Sequence, residues 1–116
     1  MESQDVPNPA QHALKLALDR MWQQFLPVMS ERVAILEDAA ASLASSHLTA
    51  EEQENARGAA HKLAGALGTF GLTEGTSLAR EAEIALSSEI AGSPAFAERL
   101  ATIAAALRAM IANPRP

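Results

Sequence analysis

Three stretches of the chain place apolar residues at alternating steps of four and three, the spacing that gathers side chains onto one face of an α-helix. They are Met29, Val33, Leu36, Ala40 and Leu43, then Ala56, Ala60, Leu63, Leu67 and Phe70, then Phe96, Leu100, Ile103, Leu107 and Met110. A less regular set, Leu78, Ala79, Ala82, Ala85 and Leu86, lies between the second and third. A half-buried strand would alternate at steps of two, so the pattern excludes a sheet. Composition agrees: 26 Ala and 14 Leu against 3% aromatics favour helix and a finely grained aliphatic core. The chain is expected to be all-α.

Capping residues set the expected boundaries. Asn8 and Pro9 suit an N-cap and a first helical position, after a flexible lead-in over residues 1–9. A first helix should run from about Pro9 to Phe25, with Leu14, Leu18, Met21, Trp22 and Phe25 inward, and end or kink at Pro27. A second should span about Pro27 to Ser46, ahead of a turn at Ser45 to Leu48. Thr49 with Glu52 three residues on is a capping box for the third helix, which Gly68 and Gly71 close. Thr73 is placed to cap a fourth, about Glu74 to Ile90. Ser93 and Pro94 open a fifth that reaches Ala112. The short connections predict an antiparallel up-down-up-down four-helix bundle over residues 10–112, with the additional N-terminal helix covering one end. Residues 113–116 read as a tail or linker stub.

At 116 residues there is room for one domain. The absence of Cys removes disulfides, thiolate metal sites and cysteine nucleophiles. A net charge of −5 leaves no basic stripe for a phosphate backbone, so nucleic acid is not an expected partner. The acidic start, Met1-Glu2-Ser3-Gln4-Asp5, lacks the character of a signal peptide, and no apolar run is long enough to span a membrane. A soluble cytoplasmic monomer is the expectation. His12 and His47 make no i, i+4 pair with His61, so no metal site is expected.

The third helix carries a face that core packing does not require. Gly58, Gly65 and Gly68 lie at i−3, i+4 and i+7 from His61, with Arg57 at i−4 and Ala64 at i+3. Each interior glycine costs a helix about 0.8 to 1 kcal/mol relative to alanine, so this strip weakens the helix by roughly 2 kcal/mol. Close helix packing is one use for such glycines. The other is close approach of a partner to an exposed histidine.

The run Ala60-His61-Lys62-Leu63-Ala64-Gly65-Ala66-Leu67-Gly68-Thr69-Phe70-Gly71-Leu72 resembles the signature helix of histidine-containing phosphotransfer (HPt) domains, and Leu78-Ala79-Arg80-Glu81-Ala82-Glu83 is similar to the leucine and acidic stretch that follows it. The resemblance implies that His61 accepts a phosphoryl group on Nε2 from an aspartyl phosphate or a sensor histidine kinase and passes it to the aspartate of a response-regulator receiver domain. A neutral imidazole is nucleophilic near pH 7, which suits that role. Gly65, Gly68 and Ala64 would give the partner clearance, and Lys62 or Arg57 would offset the phosphoryl charge. Many members carry Lys three residues after the histidine, where this chain has Ala64. With no phosphate loop or carboxylate cluster in the sequence, the chain is expected to bind no cofactor. Mg²⁺ is expected on the partner receiver domain, and the chain is expected to be a carrier without kinase activity. Two other classes remain open: a non-catalytic helical module that docks or inhibits a kinase or receiver, and a hydrolase or phosphatase, which would need a second acid or base near His61.

Overall fold

The computed structural model describes residues 8–88 and 93–112, and these form four helices and no strand. They are α1 (Pro9–Ala44), α2 (Ala50–Thr69), α3 (Thr73–Leu86) and α4 (Pro94–Ala112). Of the expected lead-in only Asn8 and Pro9 are described, and they start α1, the Asn8 side chain accepting from the Ala10 amide at 2.8 Å. The rest of the lead-in, the residues Glu89 to Gly92 and the tail at 113–116 lie outside the described residues.

The expected separate N-terminal helix is corrected by the structure: α1 runs unbroken for 36 residues with Pro27 inside it. A proline there removes one backbone hydrogen bond, a cost of about 3 kcal/mol in an isolated helix. Packing on both sides offsets it. Upstream, Trp22 and Phe25 set their rings edge-on to Phe70 of the α2 C-cap, at centroid distances of 5.1 and 6.2 Å. Downstream, Met29, Val33 and Leu36 are fully buried, while Pro27 itself is exposed.

The apolar stripe expected on the first helix is also corrected. Trp22 is buried, but Leu14 is 59% exposed and Met21 and Phe25 remain partly open. α4 runs beside α1 from Ala44 back to the neighbourhood of Leu26, Pro27 and Ser30, where its last residues Arg108 and Ile111 approach, so the first turns of α1 run past the bundle's end. Thirty-six residues make roughly 54 Å of helix, which accounts for most of the 63 Å length of the molecule.

Interhelical polar contacts fix the remaining neighbours. Gln53, near the start of α2, donates to the Leu86 carbonyl at the end of α3 at 2.6 Å, and Thr76 in the first turn of α3 donates to the Ala64 carbonyl at 3.3 Å. Arg108 of α4 forks onto Glu37 of α1 at 2.7 and 3.2 Å and also donates to the Ser30 hydroxyl at 2.7 Å. The hydrogen bond from Arg108 holds the Glu37 carboxyl below the usual carboxylate range. Between these contacts Met29, Leu36, Leu63, Leu67, Leu100, Ile103 and Leu107 close the core. Burying each such side chain contributes about 1.5 to 3 kcal/mol. No described helix is long and apolar enough to cross a membrane.

Caps decide where the helices stop. Thr49 and Glu52 form both bonds of the capping box, at 3.0 and 2.8 Å. α2 ends as a Schellman motif: the Leu72 and Gly71 amides donate to the Leu67 and Gly68 carbonyls, with Gly71 at φ 74°. Two boundaries of α3 differ from expectation. Thr73 is its first residue and Leu72 the N-cap, with no side-chain capping bond. The helix ends at Leu86 rather than near Ile90, and just past its end the Ser87 and Ser88 hydroxyls donate back to the carbonyls of Glu83 and Ala85, both at 2.8 Å.

Candidate functional site

His61 projects from the middle of α2 with 69% of its side chain exposed. The helix presents it because Ala56, Ala60, Leu63 and Leu67 hold the opposite side in the core. The bare strip around it is real at two positions. A Cβ built on Gly58 or on Gly65 meets no atom within 4 Å, so neither glycine serves close packing. At Gly68 a Cβ would lie 3.5 Å from the Thr76 hydroxyl, an ordinary contact with α3.

The imidazole is held from α3. Its Nδ1 lies 2.8 Å from Glu83 Oε2, and Glu83 is only 22% exposed. A carboxylate accepts and does not donate, so in the neutral ring the proton sits on Nδ1 and the lone pair on Nε2. Glu83 reaches this place because α3 buries Ala79, Ala82 and Leu86, which sets residue 83 at the edge of that stripe nearest α2.

The same carboxylate oxygen lies 3.8 Å from an Nη of Arg57, one turn before His61. Arg57 in turn grips Glu54, its Nε donating to both carboxylate oxygens at 3.0 and 3.1 Å and its second Nη also donating to Oε2. Hydrogen bonding to Arg57 pushes the Glu54 carboxyl below its ordinary value, and the same bond raises the guanidinium. Four side chains therefore form a line from solvent to imidazole: Glu54, Arg57, Glu83, His61.

The other expected site residues fall elsewhere. Lys62 is exposed but turned toward α1, where it lines a groove with Val28, Glu31 and Arg32. Ala64 is corrected: it is 3% exposed and belongs to the core, because it stands four residues after Ala60 and three before Leu67, both buried. It offers no docking surface. His47 precedes α2, whose first residue is itself about three helical turns from His61, and His12 lies in the exposed start of α1. Among the described residues no group of three or more His, Asp or Glu side chains is placed to hold a metal ion.

Reading the sequence missed the role of Glu83, which entered only as part of an acidic stretch. Its contact joins residues 22 apart on different helices, and no local spacing encodes that. The available signal was its position at the flank of the α3 stripe, one residue beyond Ala82.

The protein-family model for the Hpt domain matches residues 20–113. Protein RcaC from Microchaete diplosiphon is 32% identical over 103 residues, which cover 89% of this chain and 16% of that protein. The chain thus spans about a sixth of the length of that relative. No solved structure shows significant similarity. A histidine exposed on a glycine-flanked helix, a second helix that anchors its ring and a family match across most of the bundle lead to one assignment: the chain belongs to the Hpt domain family.

Proposed function

We propose that this chain is a phosphorelay carrier in two-component signalling, with His61 as the phosphoacceptor on an up-down-up-down bundle. The observation that carries the reading is the pairing of an exposed imidazole with a carboxylate on Nδ1, beside two glycines that face open space. The Nε2 lone pair attacks the phosphorus of an aspartyl phosphate on a receiver domain, or of a phosphorylated sensor histidine kinase. The new N–P bond forms as the bond to the donor atom breaks, and the donor leaves with that electron pair. The ring keeps its Nδ1 proton, and the positive charge that develops on it faces Glu83. Transfer onward to a receiver aspartate reverses the same steps.

The chain supplies the carrier atom and its orientation. Mg²⁺ and the groups that stabilise charge around the phosphorus belong to the receiver partner on this reading, and the chain binds no cofactor of its own. Gly65 gives the partner's loops clearance, Gly68 extends it toward α3, and Arg57 and Lys62 supply nearby positive charge. The carrier acts as a cytoplasmic monomer, without kinase activity, and binds neither nucleic acid nor membrane.

The test is incubation with a panel of phosphorylated receiver domains and sensor kinases, followed by assay for acid-labile, base-stable label. Label on wild-type chain from at least one donor is the expected result. Failure to accept label from any donor would favour a docking or inhibitory module instead.

A further inference from the structure

Glu83 accounts for the imidazole's orientation, but a glutamate has three rotatable bonds, and its carboxylate needs a reason to stay where it is. The reason on the molecule is Arg57. One Glu83 oxygen serves both neighbours, lying 2.8 Å from Nδ1 of His61 and 3.8 Å from the guanidinium. The guanidinium is itself fixed, because its Nε and other Nη are forked onto Glu54 one turn earlier on the same helix. Lys62 has no such arrangement, since it stands on the α1 side of α2. Position 64 is buried and contributes no charge.

We propose that Arg57 is a positioning residue for His61: anchored by Glu54, it holds the Glu83 carboxylate on Nδ1 and so keeps the lone pair on Nε2. The inference rests on the reading of His61 as phosphoacceptor. Arg57 also offsets the negative charge of Glu83, which otherwise stands close to an incoming group carrying about two negative charges. Loss of Arg57 frees the carboxylate to swing away, and the neutral ring then redistributes its proton toward Nε2, where the lone pair is needed.

The measurement needs no partner for its first half. Long-range proton–nitrogen NMR spectra of isotope-labelled protein, taken where the imidazole is neutral, report which ring nitrogen carries the proton. Arg57→Gln is expected to lower the Nδ1–H fraction, leave the melting transition in place and slow transfer roughly two- to fivefold, the scale of an exposed ion pair expressed as a rate. Arg57→Lys keeps a cation in reach of Glu83 and is expected to recover part of both readouts. In a Glu83→Ala background, which removes the acceptor altogether, adding Arg57→Gln should change neither further, because the intermediary is already gone.

Slower transfer with the tautomer unchanged would overturn the proposal and make Arg57 a direct contact of the partner or the phosphoryl group. An unchanged rate, with or without a shifted tautomer, would remove Arg57 from the reaction. Failure of the underlying reading looks different: His61→Gln would still accept label, whatever the tautomer of the wild-type ring.

Discussion

On the inward side of α2, Ala56, Ala60, Leu63 and Leu67 are sealed from solvent, while on the outward side Gly58, His61 and Gly65 face open space. Two of the described helical glycines divide the same way. A Cβ on Gly75 of α3 would stand 3.0 Å from both Leu67 Cδ1 and Met110 Sδ, whereas a Cβ on Gly65 would touch nothing. One glycine lets helices close on each other and the other keeps a surface clear. On the proposed function, packing and transfer are carried by opposite faces of one helix, and substitutions should separate them.

The largest effect belongs to the outward face. His61→Gln should abolish acceptance of label, while His12→Gln and His47→Gln leave it unchanged; label retained by His61→Gln and lost from His47→Gln would reassign the site. Next in size is the inward face, where Leu63→Ala should cost about 2 to 5 kcal/mol in denaturant unfolding, the range for a fully buried leucine. Transfer per folded molecule should persist. Gly75→Ala sets a helix-propensity gain of about 1 kcal/mol against overpacking of about 1 to 3 kcal/mol, so a small net loss in melting temperature is expected. A gain there would mean that Met110 yields its space freely.

Smallest is Lys62→Ala. Its ammonium must reach the phosphoryl group across solvent from the α1 side, so a slowing of roughly twofold or less is expected. Transfer rates unaffected by both Lys62→Ala and Arg57→Ala would show that the partner supplies all the charge compensation.

What the sequence reveals of this molecule is what local chemistry encodes. The four-three spacing of the α2 and α4 stripes matches the buried residues closely, and Thr49 with Glu52 and Ser93 with Pro94 mark real helix starts. Pro27 misleads because the cost of a helical proline is local, whereas the contacts that offset it, Trp22 and Phe25 on Phe70, join elements some fifty residues apart. The stripe from Leu14 to Phe25 has helical period but lacks a neighbour for most of its length, and periodicity carries no information about what stands opposite. His61 with Gly58 and Gly65 is visible in the sequence because all three share one helix. Glu83 is not, because its partner is supplied by the way α3 packs on α2.

Gly65→Gln tests the division of labour between the two faces most directly, with thermal melting and receiver-dependent phosphotransfer measured on the same protein. Glutamine is the better helix former and its side chain enters open space, so stability should hold or rise by up to about 1 kcal/mol. The same side chain projects over the preceding turn, which carries His61, and should obstruct the receiver's approach, so transfer should fall. A Gly65→Gln protein that melts markedly lower, or that transfers as fast as wild type, would contradict the account.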